Sequence, residues 1–483
     1  MESKGNSIIS NVIWKFAERI LAQVVSLIVS IVLARILLPE DYGAIAMVTV
    51  FITIANVFVT EGIPNSLIQK KNTDELDYSS VFVFNLGLSI VLYLIIYISA
   101  PVISQFYDMD ILTSVIRVMG LNIIVAAFNS VQHAYVSKNM MFKKYFWSTL
   151  FGTLISGVVG IIMAYKGVGI WALVAQYMIN STVDTIVLFF TVDWRPKLKC
   201  NLKRLSSLIN FGWKMLFEGV SNTIVQQMQN LIIGKKYTSA DLAYYTKGQQ
   251  FPSLVVTNIS SSIASVLFPA ISNEQDDEKR VMLILRKSSR LTYYVVFPML
   301  TGLTMVAKPF ICILLTEKWL DTAPFLQAFC VIYATYVWLI PRHQALNGKG
   351  YSDVYLIEHL IYRVILIGVL LVTFKISIAA MVLGQILCSL ILCGIVCYTS
   401  YKYNNYSVSD QFRDVLPSLF GCVVMAIPTH MVGLLSVNSY LMLLCQCLTG
   451  VVIYVGYSIF FKVDEYFICR KYLGVLISKL RRR

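Results

Sequence analysis

The chain has 483 residues, 57% of them hydrophobic and only 14% charged, with a mean hydropathy of +0.70. A soluble chain carries about 25% charged residues, so a soluble globular enzyme is excluded. Solid apolar runs, in place of short alternating segments, exclude a transmembrane β-barrel. The formal net charge of +14 would suggest nucleic acid in a soluble protein. Here it reads first as an orientation signal that holds basic residues on one side of a bilayer.

Breaks at glycine, proline and charged clusters divide the chain into about fourteen segments, each near the ~20 residues that a membrane-crossing helix needs. They fall at 8–36, 42–66, 79–105, 111–136, 146–165, 168–192, 208–233, 247–271, 290–314, 322–346, 353–374, 376–400, 412–434 and 438–461. The first and seventh are the least apolar, so hydropathy by itself returns about twelve. The predicted fold class is an all-α polytopic membrane protein. The first stretch lacks the short apolar core and small-residue cleavage site of a signal peptide, and reads as a retained helix.

An even number of spans places both termini on one side. With the N-terminus in the cytoplasm, the inner side collects Lys70, Lys71, Lys138, Lys143, Lys144, the loop from Arg195 to Arg204, the stretch from Lys279 to Arg290, Arg342, Lys349, Lys402, Arg413 and the terminal Arg481-Arg482-Arg483. The outer side keeps far fewer, among them Arg35, Lys166, Lys235, Lys236, Lys308 and Lys375. Most of the net charge is then orientation signal and contact with anionic headgroups, and nucleic-acid binding is not needed. No loop is long enough to hold a domain. The ten cysteines lie mostly in apolar segments, such as Cys388, Cys393 and Cys397, and read as buried thiols. No histidine or carboxylate stands near them in sequence to complete a metal site, so neither metal nor cofactor is expected.

The chain also echoes itself. Trp14-Lys15 recurs as Trp213-Lys214, with Glu18 after the first and Glu218 after the second. The first copy leaves its helix through Pro39-Glu40-Asp41-Tyr42-Gly43 and the second through Ser239-Ala240-Asp241-Leu242-Ala243. The spacings from Trp14 to Asp41 and from Trp213 to Asp241 differ by one residue. Six spans separate the copies, and six is even, so both run in the same direction. That predicts two six-helix lobes related by a parallel pseudo-two-fold axis along the membrane normal. The expected domains are 1–200 (spans one to six), 201–402 (spans seven to twelve) and 403–483 (two added spans and a basic cytoplasmic tail).

The stretch WKFAER with Gln23, the phrase LARILLPEDYGAIAM (Leu33 to Met47) and EGIPNSLIQKK (Glu61 to Lys71) carry a resemblance, together with FGWKMLFEGVSN (Phe211 to Asn222) and IGKKYTSADLAYYTKGQQFP (Ile233 to Pro252). They resemble the multidrug/oligosaccharidyl-lipid/polysaccharide exporter superfamily, and within it the Wzx-like O-antigen and exopolysaccharide flippases. The resemblance implies a V-shaped, two-lobed transporter in the bacterial inner membrane. It would flip an undecaprenyl-diphosphate-linked oligosaccharide from the cytoplasmic to the periplasmic leaflet by alternating access. It implies a lipid-linked oligosaccharide as substrate, with a polysaccharide polymerase and glycosyltransferases as partners. A lipid II-type flippase and a small-molecule antiporter of the same superfamily are the alternatives. An enzyme is not expected, because no nucleophile–base pair or phosphate-binding glycine loop is seen.

Four helices carry polar stripes. Helix one has Lys15, Glu18, Arg19, Gln23, Ser26 and Ser30 on one face, and helix seven has Lys214, Glu218, Ser221, Asn222, Gln226 and Gln229. Helix eleven has Tyr355, Glu358, His359, Tyr362 and Arg363, and helix six has Gln176, Asn180 and Asp184. A charge at the bilayer centre costs about 2.5–3.5 kcal/mol on insertion scales, so such faces must meet the bundle interior or water. Lys15–Glu18 and Lys214–Glu218 are either structural ion pairs or sites whose cation is left for substrate. For a diphosphate substrate, Arg363 is the first candidate contact, because no acid stands four residues away. Arg19, Lys214 and Lys15 follow. Gln23, Asn222, Gln226, Tyr355 and Tyr362 suit sugars. Glu18, Glu218, Glu358, His359, Asp184 and Glu61 are candidates for a gate or for coupling to H+ or Na+.

Overall fold

The computed structural model describes residues 21–435 and 437–471, which are helical almost throughout and contain no strand. Lys15, Glu18 and Arg19 lie outside the described residues. The helices are α1 (Leu21–Ile36), α2 (Pro39–Thr60), α3 (Ile63–Gln69), α4 (Glu75–Tyr107), α5 (Ile111–Lys138), α6 (Phe142–Tyr165), α7 (Ile170–Thr191) and α8 (Leu202–Lys236). They continue with α9 (Ser239–Ser272), α10 (Glu278–Met305), α11 (Ala307–Leu315), α12 (Thr322–Gly348), α13 (Ser352–Thr373), α14 (Ile378–Asn404), α15 (Val408–Val432) and α16 (Ser439–Phe460). Residues 464–471 are also helical.

Every expected segment meets a helix, and two of them meet a broken one. The second is split into α2 and α3 at Glu61-Gly62, and the ninth into α10 and α11, which bend by 73°. Among the described residues eleven helices are long and apolar enough to cross a membrane, or twelve with the bent pair counted as one. α1 and α8 fall short. α8 is 35 residues long, and its polar stripe is what lowers its hydropathy.

Local chemistry explains the helix starts. Pro39 occupies the first turn of α2, where a missing N–H costs nothing. The Asp41 carboxylate reaches back to accept the Leu38 N–H at 3.2 Å. α9 repeats the device, because Asp241 accepts the Thr238 N–H at 3.1 Å and its hydroxyl at 2.7 Å. The Asp241 N–H in turn donates to the Thr238 hydroxyl at 3.1 Å, which closes a capping box. The two echoing turns therefore do the same job, even though their sequences diverge. They also touch, since a Cβ on Gly43 would collide with the Ser239 carbonyl.

The chain forms two compact units, Met1–Ala243 and Tyr244–Arg483. This division falls in the first turns of α9 and not between residues 200 and 201. The reason is that α8 packs on α2, α3 and α4 of the first unit. Three glycines let α8 approach. Gly62, at φ +73°, sits so close to Gly212 that a Cβ on it would lie 2.9 Å from the Gly212 carbonyl oxygen, and a Cβ on Gly219 would strike the Glu61 carboxylate. An apolar core of Leu67, Val81, Phe82, Val131, Leu188 and Trp194 fills the end of this unit nearest α3. In the second unit α10 packs on α12 and α15, α13 pairs with α14, and α15 pairs with α16.

Ion pairs strap the α7–α8 loop to the start of α4. Asp77 is fully buried and takes the Lys70 ammonium at 2.7 Å. Arg204 bonds Asp74, Lys197 meets Glu75 at 2.6 Å, and the Asn201 N–H donates to the Ser80 hydroxyl at 2.9 Å. The Arg204 hydrogen bond, helped by the Asp77 N–H, holds the Asp74 carboxyl below the usual carboxylate range. A depressed folded-state pKa gives stability that is complete above the unfolded value and lost as pH falls through the folded one. The destabilisation caused by Asp74→Asn is therefore constant between about pH 6 and pH 8 and shrinks below the unfolded carboxylate pKa of about 3.9. Thermal unfolding of the purified protein across pH measures it. Gly62→Ala combines a left-handed φ with the Gly212 clash, so it lowers stability by at least about 1 kcal/mol, read in the same melt.

Candidate functional site

In the first unit the polar stripe of α8 is real and its members differ in exposure. Lys214, Glu218 and Gln226 are exposed, Asn222 is half-buried and Gln229 is buried. Their spacing of three or four residues places them on one face. The α2–α3 break aims Glu61 at this helix. Its carboxylate abuts Gly219 and feels the charge of Glu218. The structure thus brings together two of the expected gating residues, one turn along α8 from Lys214. Gln23 is half-buried on α1. On the same helix the Ser30 carbonyl accepts the Tyr42 hydroxyl at 3.3 Å, which ties α1 to the PEDYG turn.

Asp184 lies elsewhere, inside the first unit, and is 8% exposed. It accepts from the Asn129 amide at 2.6 Å and lies 3.1 Å from His133 Nε2. The His133 ring packs edge-on at 4.4 Å to Tyr145. Asp184 therefore joins α5 to α7, while α6 closes in where Gly152 meets the Asn180 carbonyl. His133 and Asn129 escaped the sequence reading. The only available signal was their four-residue spacing on an apolar helix.

The second unit holds a polar cluster around a buried carboxylate. Glu358 of α13 is 1% exposed and stands 3.2 Å from His343 Nε2 of α12. The Thr399 hydroxyl of α14 donates to it. The rings of Tyr355 and His359 lie 4.9 Å and 5.1 Å from the His343 ring and 4.4 Å from each other. One carboxylate thereby fastens three helices. Arg363 is half-buried one turn further along α13, close enough for its charge to act on His359. Tyr362 instead packs against Leu339, Leu392 and Val396, so its ring belongs to the apolar core.

Arg342 was expected among the inner-side charges, near the end of the span 322–346. In the structure it lies within α12, inside the bundle at 0% exposure. Its Nε donates to Gln411 at 3.0 Å, and Nη1 donates to the Trp338 carbonyl at 2.6 Å and to the Tyr293 hydroxyl. The guanidinium lies 4.4 Å over the Trp338 ring. Among the described residues it has no carboxylate partner and is held by amide, carbonyl, hydroxyl and π-faces contributed by α10, α12 and α15. Among the described residues no three His, Cys, Asp or Glu side chains are grouped to hold a metal.

Long apolar helices that keep charged groups inside their own packing define a polytopic integral membrane protein. Residues 32–324 match the family described as polysaccharide biosynthesis protein, and the chain belongs to that family. It is 25% identical to the succinoglycan biosynthesis transport protein ExoT of Rhizobium meliloti over 61% of this chain and 60% of that protein. It is 24% identical to the lipopolysaccharide biosynthesis protein WzxC of Escherichia coli, over 67% of this chain and 66% of that one. The teichuronic acid biosynthesis protein TuaB of Bacillus subtilis is 22% identical over 62% of each. The chain thus aligns with somewhat under two thirds of each of these relatives' lengths. Among solved structures, the lipid II flippase MurJ in an inward closed conformation matches with a TM-score of 0.74 at 14% identity, covering 93% of this chain and 99% of that one. An inward-facing multidrug resistance MATE transporter of the MOP superfamily matches at 0.60 and 12% identity, covering 81% and 96%. At these identities the likeness is one of fold.

Removing the Arg342 guanidinium leaves Gln411 and the Tyr293 hydroxyl buried without their partner. Arg342→Met is expected to cost about 3 kcal/mol, measured as a lowered unfolding midpoint in detergent.

Proposed function

We propose that the protein flips undecaprenyl-diphosphate-linked oligosaccharide repeat units from the cytoplasmic to the periplasmic leaflet of a bacterial inner membrane by alternating access. The product feeds O-antigen, capsule or exopolysaccharide synthesis. The observation that carries this reading is membership of the polysaccharide biosynthesis family. The name of ExoT, a biosynthesis transport protein, supports transport as the activity. The lobes form a parallel repeat, α1 and α8 cross the membrane to give about fourteen spans, and both termini are cytoplasmic, in line with the positive-inside rule.

A diphosphate carries about two negative charges and cannot enter a low-dielectric region unaccompanied. Arg363 is the proposed diphosphate contact, with Lys214 and the Lys15 and Arg19 pair of the first helix as further cations. Gln23, Asn222, Gln226 and Tyr355 offer hydrogen bonds and a ring face to the sugars, and Tyr362 keeps a packing role. The Glu61–Glu218 pair and the His343–Glu358–His359 cluster are the proposed places where H+ or Na+ couples to transport. In this reading glycosyltransferases act before the flip and the polymerase after it.

Arg363→Ala is expected to lower flipping of a defined lipid-linked oligosaccharide in proteoliposomes by about tenfold or more, with insertion and melting unchanged. Full activity of that variant removes Arg363 from the site. Efficient flipping of lipid II with none of the oligosaccharide lipid would overturn the substrate class. Activity indifferent to both pH and Na+ gradients would remove the coupling.

A further inference from the structure

One end of the second unit carries a groove lined by none of the residues proposed above for transport. α10 has 28 residues, so it is about 42 Å long at 1.5 Å per residue and exceeds the ~30 Å hydrocarbon thickness. Its first turns hold Lys279, Arg280, Arg286, Lys287 and Arg290. The same end carries Lys349, which donates to the Tyr403 carbonyl at 2.7 Å, and Asn405, which donates to Glu278 at 2.8 Å. This basic end belongs at the membrane surface. There the helical residues 464–471 and the first half of α10 line a cavity of about 730 Å³.

The charges around this cavity are of two kinds. Arg286 is bound by Asp414 at 2.7 and 2.8 Å, with Asp410 at 3.6 Å. Arg290 is bound by Glu465 at 2.5 Å and Asp464 at 3.3 Å. These acids are already matched. Lys279 and Lys287 have no carboxylate partner among the described residues, and both are exposed. Leu283 lies between them at four-residue spacing and is 65% exposed. One ridge of α10 therefore presents cation, leucine, cation. Phe467 faces the same cavity and is 46% exposed. A site with two available ammonium groups beside apolar side chains at a membrane surface matches a ligand with an anionic head and an acyl chain. An ammonium binds phosphate as a point charge and needs no fixed fork geometry.

We infer that this groove is a binding site for an anionic phospholipid, its phosphate between Lys279 and Lys287 and its acyl chain on Leu283 and Phe467. The inference rests on the membrane reading of the fold and is independent of transport. The segment after residue 471 (YLGVLISKLRRR) is the competing occupant from this chain.

The test places the photoreactive p-benzoylphenylalanine at position 283 of the full chain in nanodiscs. Adducts are identified by mass spectrometry. Phosphatidylglycerol is expected to label at least about fivefold more than phosphatidylcholine, and Lys279→Gln with Lys287→Gln is expected to abolish that preference. Neither lysine has a carboxylate partner among the described residues, so unchanged melting keeps the comparison sound. Equal labelling by both lipids, a preference that survives the double variant, or a crosslink to residues 472–483 overturns the inference. Displacement of phosphatidylglycerol by undecaprenyl phosphate at a far lower mole fraction also overturns it, and assigns the groove to the transported lipid. None of these outcomes depends on flipping, so a failed lipid site and a failed flippase are told apart.

Discussion

A bilayer core supplies no water to a buried charge, so each charge within the helices must find its partner inside the protein. This constraint organises both units. Asp184 meets Asn129 and His133, and Glu358 meets His343 and Thr399. Arg342 meets an amide, a carbonyl, a hydroxyl and an indole face. In each case at least one partner comes from another helix. The polar groups therefore set which helices are neighbours and in what register, a specificity that interchangeable leucines cannot provide.

Helix placement was legible in the sequence because apolar length is a local property. So were the polar stripes of α8 and α13, which need only the helical period. The partners were not legible. His343 and Glu358 are close in sequence but on separate helices, and His133 and Asp184 are 51 residues apart, on α5 and α7. Nothing in a single stripe says which opposing side chain will meet it. The burial of Arg342 was not legible for a related reason. Tyr293 and Gln411 come from α10 and α15, and the sequence of α12 does not show that they meet it. Tyr362 was grouped with the polar residues by its wheel position, while its ring had an apolar floor to cover.

The phrases that carried the family resemblance turn out to be structural. Asp41 and Asp241 cap helices, Gly43 makes room for Ser239, and Gly62, Gly212 and Gly219 let α8 cross the α2–α3 break. Such residues mark the fold because backbone contacts admit few alternatives. They say little about cargo, which explains why the same phrases identify the family and leave the saccharide open.

The meeting of Gly43 with Ser239 has a bearing on how the chain is made. Everything between those two residues is a closed loop, fastened at its neck by backbone and not by a long side chain. Synthesis proceeds from the N-terminus, and domains form as units while it does. The first unit holds its own neck contact, its own capped turns and its own core, so it can close once the first turn of α9 has left the ribosome. The polar α8 would then enter a bilayer where α2, α3 and α4 already wait to shelter it.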